Sequence, residues 1–322
     1  MRVKVKMVDE TVDVIIPVYN GERYIISALD SVVNQTHPPE KIIVVDDGST
    51  DNTSNLVKSF EASIPIFYVK KANGGASSAR NAGILLCSSK FIAFIDADDE
   101  WYPEKLENQL KVFSKGEFTN LGVIYCGYEI IDENGYPTDE HYVLKGDTTI
   151  RGQVFEKLLY GNMITGSGSS VFVKRECFER VGGFDESLIN CEDWDMWLRI
   201  AESYCFDYSP LNLVKIRRHD QNIQNLRSLM FSSQILFFNK WCARLKTDHE
   251  CFDDWGLSIA YQLLYHKSYK MLRDTYNLLS INYRKRLFRR SHGSILLCLV
   301  GLILVALVRL LKQFACYERG TS

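Results

Sequence analysis

The stretch FIAFIDADD at residues 91–99 joins a short apolar run directly to a cluster of carboxylates. An uninterrupted apolar run of this length is typical of a buried β-strand. Residues two apart in an extended segment project to the same side, so Asp96 and Asp98 would face one ligand together. Hard divalent cations bind one or two carboxylates together with substrate phosphates. The stretch therefore predicts a strand ending at a metal site, with a solvated acidic turn before the helix at Pro103 as the alternative.

The sequence around this stretch alternates apolar runs with segments of helical periodicity. Further strands are predicted at residues 12–16, 42–45 and 66–69, and helices at 25–33, 51–60, 76–86 and from Pro103 onwards. Such repeats imply the α/β class, with a mostly parallel sheet flanked by helices. Ligands bind beyond the carboxyl ends of the strands in such sheets. Polar clusters lie at three predicted ends: residues 19–20, 46–47 and 96–99.

The rest of the chain has a different pattern. Strands are predicted at 123–131 and 171–173, a helix at 193–201, and mostly helix with many aromatics from 228 to 290. We expect four segments: an α/β half at 1–115, a second half of the same domain at 116–225, a helical extension at 226–291 and a hydrophobic helix at 292–312.

The hydrophobic segment predicts attachment to a membrane. Sixteen uncharged residues lie between His292 and Arg309. As a helix they span about 24 Å, which is short of a hydrocarbon core of about 30 Å. Basic residues are denser before the segment than after it, which favours a cytoplasmic N-terminal flank. Spanning the bilayer, lying in its interface and forming a core helix remain open alternatives.

Net charge, cysteine spacing and the N-terminal residues limit the partners and the compartment that the sequence favours. The formal net charge is -2, so no basic field favours nucleic acid. The nine cysteines form no CxxC pair and no zinc spacing, which suits free thiols in a reducing compartment. Residues 1–13 lack the apolar core of a secretory signal. We therefore expect a cytoplasmic protein, attached to the cytoplasmic face of the membrane.

Three other clusters could carry chemistry. Asp47 follows a predicted strand, where a carboxylate can accept hydrogen bonds from a base or a ribose; capping of the next helix is the alternative. Gly75 permits close backbone approach to a ligand, and Arg80 suits phosphate. Asp193 begins a predicted helix, either as a cap or as a general base.

Together these residues closely resemble glycosyltransferase family 2, the inverting enzymes of the GT-A fold. The resemblance covers residues 12–220. It rests on six elements in one order: VIIPVYNG at 14–21, VDDGSTD at 45–51, 73–83 around Ala79-Arg80-Asn81, FIDADD at 94–99, Gly182-Gly183-Phe184 and Glu192-Asp193.

The resemblance implies roles for individual residues. Contacts to the nucleotide-sugar would come from Pro17, Val18, Tyr19, Asn20, Asp47, Gly75, Arg80, Asp96, Ala97 and Asp98. Asp98 would bind a divalent metal, Mn²⁺ or Mg²⁺, and His219 is a weaker candidate for the same ion. Asp193 would be the catalytic base.

The resemblance also implies a reaction. One hexosyl or N-acetylhexosaminyl group would pass, with inversion, from a nucleotide-sugar to a hydroxyl of a saccharide or lipid-linked acceptor, in surface polysaccharide or glycolipid biosynthesis. UDP is the favoured nucleotide, with GDP and dTDP as alternatives. The QxxRW element of processive members is missing, so one sugar per encounter is expected.

Four other functional classes match parts of the sequence. A polyprenyl-phosphate glycosyltransferase is the enzymatic alternative. A sugar-1-phosphate nucleotidyltransferase would need a glycine-rich N-terminal loop with Arg and Lys, which residues 17–21 do not supply. A receiver-like signalling domain would need an acidic pair after its first strand, whereas the first strand predicted here ends in Pro17-Val18-Tyr19-Asn20. A member that binds donor without catalysis is disfavoured because Asp96, Asp98 and Asp193 are all present.

Overall fold

The computed structural model describes residues 10–138, 150–164, 166, 168–220 and 227–245. The chain divides into two compact units, Met1–Met230 and Phe231–Ser322. The first unit holds one eight-stranded sheet. Its strands are β1 (Val12–Val18), β2 (Lys41–Asp46), β3 (Ile66–Lys70), β4 (Phe91–Phe94), β5 (Glu100–Trp101), β6 (Leu121–Ile131), β7 (Val171–Lys174) and β8 (Cys205–Arg217).

Helices connect most of these strands. They are α1 (Ile25–Val33), α2 (Thr53–Ser59), α3 (Ala76–Leu86), α4 (Lys105–Ser114), the short α5 (Phe155–Leu158), α6 (Arg175–Val181), α7 (Glu192–Ala201) and α8 (Arg227–Leu245). A single 3₁₀ turn, Gly168–Ser170, precedes β7. Helix α8 begins in the first unit and continues into the second.

The strand order is β3-β2-β1-β4-β7-β6-β8-β5. Strands β1 to β4 pair in parallel, β7 runs antiparallel between β4 and β6, and β6 pairs in parallel with β8. Parallel neighbours bring the carboxyl ends of β1, β2 and β4 to one edge of the sheet, where ligands bind in folds of this kind. The predicted α/β class with a sheet flanked by helices is confirmed.

The core lies on both faces of the central strands. Val12, Val14 and Ile16 of β1 belong to the hydrophobic cluster that includes the buried face of α1. Helix α3 packs on the other face, where a Cβ built on Gly83 would lie 2.5 Å from Cγ2 of Ile15. Only glycine permits this approach of helix to strand, and the approach fixes the position of α3.

Within the described residues, no helix is both long enough and apolar enough to cross a membrane. The segment 292–312, which we predict to attach to a membrane, lies outside those residues, as does most of the predicted helical extension. Helix α8 agrees with the helical pattern at the start of that extension.

Candidate active site

The loops after β1 and β2 are joined by hydrogen bonds. Asn20 adopts a left-handed conformation, φ 50°, which asparagine tolerates better than most residues. Its backbone N–H donates to Oγ of Ser49 at 2.9 Å, and its side-chain oxygen accepts from the N–H of Thr50 at 2.8 Å. Tyr19, one residue earlier, is 55% exposed. The two loops therefore form one wall with an aromatic ring turned outward.

The end of β1 also approaches the acidic cluster. Pro17 and Val18 are buried in the sheet, with Pro17 opposite Val45 of β2. A Cβ on Gly21 would lie 3.6 Å from the Cβ of Ala97. The sites predicted at the ends of β1, β2 and β4 are therefore brought together by the fold.

Asp47 holds the glycine turn before α3. Its carboxylate accepts hydrogen bonds from the backbone N–H of Gly74 at 3.0 Å and of Gly75 at 2.7 Å, and from Nζ of Lys71 at 2.7 Å. Gly75 has φ 87°, a conformation that L side chains rarely adopt. In the structure Asp47 thus shapes the glycine turn before α3, and its predicted contact with a nucleoside stays a prediction.

The three carboxylates after β4 face different partners. The N–H of Asp96 donates to Oγ of Ser169 at 3.0 Å. Asp99 is buried and accepts from the Ser169 hydroxyl at 2.6 Å and from the N–H of Arg217 at 3.1 Å. Burial raises the pKa of Asp99 well above its ordinary value, and Asp98 and Asp96 raise it further. Asp99 therefore connects the loop after β4 to the 3₁₀ turn and to the end of β8.

Asp98 meets the histidine that follows β8. Oδ2 of Asp98 lies 3.0 Å from Nε2 of His219. Burial, and then the charge of Asp96, raise the pKa of the Asp98 carboxyl, while His219 acts in the opposite direction. The ring of Tyr24 packs against His219 with centroids 5.1 Å apart. The sequence separates these two residues by more than a hundred positions, and the sheet brings them into contact.

The donor set at this point fits a divalent cation. A carboxylate and an imidazole converge where neighbouring carboxylates crowd negative charge, and Mg²⁺ or Mn²⁺ commonly completes its shell with substrate phosphates and water. No group of three or more metal-binding side chains is present in the part of the chain that the structure describes. Asp98 and His219 would therefore hold the ion with help from a bound diphosphate.

Arg80 lies beneath the acidic cluster and is only 5% exposed. One terminal nitrogen donates to Oδ1 of Asp96 and the other to Oε1 of Glu192, both at 2.9 Å. The guanidinium also lies over the ring of Phe184, 5.5 Å from its centroid. Arg80 thus links the end of β4 to the start of α7. Its predicted contact with the nucleotide stays a prediction.

Asp193 occupies the first turn of α7. The helix begins after Cys191, which has φ 67°. The Asp193 carboxylate accepts from Nδ2 of Asn162 at 3.0 Å and from the N–H of Trp194 at 2.7 Å. Burial raises the pKa of Asp193, and these two donors and Arg80 oppose that effect. A carboxylate of this kind can accept a proton more readily than an exposed aspartate.

Sequence reasoning missed residues that complete the site. Glu192 bonds to Arg80, and burial raises its pKa to about 7. Asn162 orients Asp193, and Ser169 bridges Asp96 and Asp99. Glu192 belongs to the acidic pair Glu192-Asp193 that supports the resemblance, but no role was predicted for it. Asn162 and Ser169 carry no sequence signal, since each is far along the chain from the aspartates that it contacts.

Comparison with known proteins identifies the class that this fold and site define. Glycosyl transferase family 2 matches residues 13–182, more than half of the chain. The chain therefore belongs to glycosyl transferase family 2, as its motifs predicted.

Two relatives illustrate the similarity. An uncharacterized glycosyltransferase of Rickettsia typhi is 36% identical over 220 residues, which cover 66% of this chain and 66% of that protein. The UDP-Glc:alpha-D-GlcNAc-diphosphoundecaprenol beta-1,3-glucosyltransferase of Escherichia coli is 31% identical over 198 residues, 61% of this chain and 72% of that one. For a relative from Rickettsia bellii, the match covers 30% of its length. The chain thus spans between about a third and two thirds of the Rickettsia relatives.

Solved structures share the fold. S. aureus TarS 1-349 in complex with UDP-GlcNAc superposes with a TM-score of 0.57 at 18% identity, over 87% of this chain and 79% of that one. The mannosyltransferase of Pyrobaculum calidifontis in complex with GDP-Man and Mn²⁺ has a TM-score of 0.58 at 19% identity, over 92% and 85%. The GT-A fold predicted from the motifs is confirmed.

Proposed function

We propose that this chain transfers one sugar from a nucleoside-diphosphate sugar to an acceptor hydroxyl with inversion. The observation that carries the proposal is the partly buried carboxylate Asp193, whose helix is linked through Glu192 and Arg80 to Asp96 of the acidic cluster. A proton acceptor on one side and a candidate diphosphate site on the other are the two parts that a single displacement needs.

Asp193 is the base in this proposal. It takes the proton of the acceptor hydroxyl while that oxygen forms its bond to the anomeric carbon. The bond from this carbon to the diphosphate oxygen breaks with its electron pair, through an oxocarbenium-like transition state. Asn162 holds the base in orientation, and the raised pKa of Asp193 improves its match to the proton it must accept. Attack from the side opposite the leaving group inverts the anomeric centre.

The donor is proposed to be a UDP-sugar, carrying a hexosyl or N-acetylhexosaminyl group. TarS binds UDP-GlcNAc and the Escherichia coli relative is named for UDP-Glc, whereas the Pyrobaculum protein binds GDP-Man. Tyr19 offers an exposed aromatic ring on which a nucleotide base could stack. A divalent metal held by Asp98 and His219, when bound, supplies positive charge for the departing diphosphate.

The acceptor is proposed to be a saccharide, free or linked to a lipid, in polysaccharide biosynthesis. The Escherichia coli relative is named for a diphosphoundecaprenol-linked acceptor, and a Bacillus subtilis relative for teichuronic acid biosynthesis. The predicted membrane-attached segment at 292–312 would keep the site on the cytoplasmic face, near such an acceptor.

A donor screen tests the proposal. The purified full chain, with Mn²⁺ or Mg²⁺, is incubated with a panel of UDP-, GDP- and dTDP-sugars, and release of the nucleoside diphosphate is measured with and without lipid-linked acceptors. We expect turnover with a UDP-sugar that is abolished by Asp193→Asn. A rate for Asp193→Asn equal to that of the wild type would refute the base. A product formed on polyprenyl phosphate itself would favour the alternative acceptor class.

A further inference from the structure

The side chain of Arg80 joins a carboxylate after strand β4 to a carboxylate at the start of helix α7. Asp96 follows β4, and Glu192 begins α7, more than ninety residues later. The guanidinium contacts each at 2.9 Å and is 5% exposed. The planar guanidinium presents its donors in a fixed fork, so the positions of Asp96 and Glu192 are set relative to one another.

The neighbouring residue strengthens the same junction. Asn81 donates from Nδ2 to the carbonyl of Phe184 at 2.9 Å and accepts from the N–H of Phe184 at 2.7 Å. A Cβ on Gly183 would lie 2.4 Å from Oδ1 of Asn81, so the glycine is required for this contact. Helix α3 is thus bonded to the turn that leads into α7, and Arg80 acts within a fixed frame.

The charges around Asp193 come from several elements. Arg80 faces it from α3, Asp96 from the end of β4, Glu192 from its own helix and Cys191 from the residue before that helix. The cation lowers the proton affinity of Asp193, and the carboxylates raise it. Glu192 and Asp193 are consecutive and each is only partly exposed, and the guanidinium of Arg80 lowers the pKa of both carboxyls.

We propose that Arg80 is a positioning residue that holds Asp96 and Glu192 on one guanidinium and thereby couples the donor side of the site to the base Asp193. It acts on the reaction through Glu192 and the charge around Asp193, in place of the nucleotide contact that the resemblance implies for it. The inference rests on the proposed function for its effect on turnover, and on the contacts alone for its effect on folding.

The first experiment measures turnover from pH 4.5 to 9 for the full-length wild type, Arg80→Gln and Glu192→Gln. Arg80→Gln should lower kcat by about 100-fold, because the base loses its alignment. It should also move the acid limb of the profile up by about one pH unit, since a cation beside Asp193 is removed. Glu192→Gln should move the limb in the opposite direction. Acid limbs that stay in place in both variants overturn the coupling.

Binding of UDP separates positioning from nucleotide contact. Calorimetry with UDP and Mn²⁺ should give affinities for Arg80→Gln within about threefold of the wild type, because no ligand contact is lost. Arg80→Lys keeps the charge but cannot span both carboxylates, so its acid limb should stay near that of the wild type while kcat falls. A large loss of UDP affinity with kcat retained would make Arg80 a nucleotide contact and overturn the inference.

Asn81→Ala is the matched control. It removes the neighbouring link between α3 and the Phe184 turn but changes no charge. The variant should be less stable than the wild type, with its acid limb unmoved. If Asn81→Ala shifts the limb as Arg80→Gln does, the effect of Arg80 is structural loosening and the coupling is rejected.

Urea unfolding at pH 5 and pH 8 tests the same charges without turnover. Arg80→Gln should lose more stability at pH 8, where the carboxylates are ionised and face no cation, than at pH 5. The double variant with Glu192→Gln should recover part of the loss at pH 8. Equal losses at both pH values overturn the coupling. If the wild type turns over no donor while Arg80→Gln still shows this pH-dependent loss of stability, the proposed function is refuted and the coupling of the charges stands.

Discussion

Carboxylates of this site differ in role because they differ in surroundings. Asp99 is buried against Ser169 and the N–H of Arg217, so it serves the loop. The Asp98 side chain contacts His219, which follows strand β8. Asp193 is held by Asn162 and keeps a raised pKa through burial. At the residue scale, aspartates with different surroundings are therefore proposed to serve the loop structure (Asp99), a metal ion (Asp98) and proton transfer (Asp193).

Replacing Asp98 and replacing Asp193 should have different effects on donor binding and on turnover. Asp98→Asn removes the carboxylate that faces His219, so donor binding that depends on Mn²⁺ should be lost. Asp193→Asn keeps the hydrogen-bonding shape but removes the base, so donor binding should persist while kcat falls by about 100- to 10,000-fold. Calorimetry with UDP and Mn²⁺, together with turnover, separates the two. Loss of metal-dependent binding in Asp193→Asn would contradict this division.

Lys105 predicts an unusual dependence of stability on pH. Its ammonium is fully buried, lies 3.9 Å from the centroid of the Trp101 ring and donates to Oε1 of Gln109 at 2.9 Å. Burial lowers the pKa of Lys105 from 10.5 to about 8. The folded state releases this proton more readily than the unfolded state, so Lys105 makes folding more favourable as pH rises from 8 to 10.5. The shift corresponds to about 3 kcal/mol.

Lys105→Met removes that titration. We expect the difference in free energy of unfolding between the variant and the wild type to change by about 3 kcal/mol between pH 7.5 and 10.5, in favour of the wild type at high pH. Urea denaturation at both pH values measures it. Parallel pH profiles for the two proteins would show that the lysine is solvated in solution.

At the scale of elements, α3 connects the halves of the site. Its first turn is positioned by Asp47, and its middle carries Arg80 and Asn81, which hold the start of α7 and the turn before it. Its inner face approaches β1 at Gly83. The sequence motif around Ala79-Arg80-Asn81 is therefore explained by contacts between elements.

Gly83→Ala tests the approach of α3 to β1. Alanine in an exposed helix would stabilise by about 1 kcal/mol. Here the new Cβ would lie 2.5 Å from a buried carbon of Ile15, and overpacking of this kind costs about 1–3 kcal/mol. We expect net destabilisation in urea denaturation, and we expect Gly83→Ala to cost less stability when it is made in an Ile15→Ala background than in the wild type. Gly161→Ala, where a Cβ meets nothing within 4 Å, is the control and should be close to neutral.

At the scale of the whole molecule, the proposed function needs a route to a lipid-linked acceptor. The predicted segment at 292–312 supplies it through membrane attachment. A variant ending at Tyr283 should stay in the supernatant of a high-speed spin of cell lysate, whereas the full chain should pellet with membranes. The truncated variant should still bind UDP, since every proposed site residue lies before residue 220. If the truncated protein pellets with membranes without aggregating, the segment at 292–312 is not what attaches the chain to the membrane.

The sequence predicted the parallel strands β1 to β4 well, but it predicted fewer of the elements that follow them in the chain. Helix α3 has the predicted bounds, and β1 to β4 lie within two residues of theirs. Apolar runs and helical periodicity are local signals, so they survive without tertiary information. Strand β8 was not predicted, because Pro210 and several polar residues interrupt its alternation and its pairing with β6 contains register shifts. The two-residue β5 and helix α6 were not predicted either.

By itself, the sequence determined the α/β class, the family and the acidic cluster that follows Phe91–Phe94. Each depends on residues that are close together in the chain, where spacing alone carries the information. Only the tertiary structure decided that His219 meets Asp98, that Arg80 joins Asp96 to Glu192, and that Asn162 orients Asp193. Those contacts join residues from 16 to 121 positions apart. Their partners are set by strand order and by the packing of α3 and α7, which no local pattern encodes.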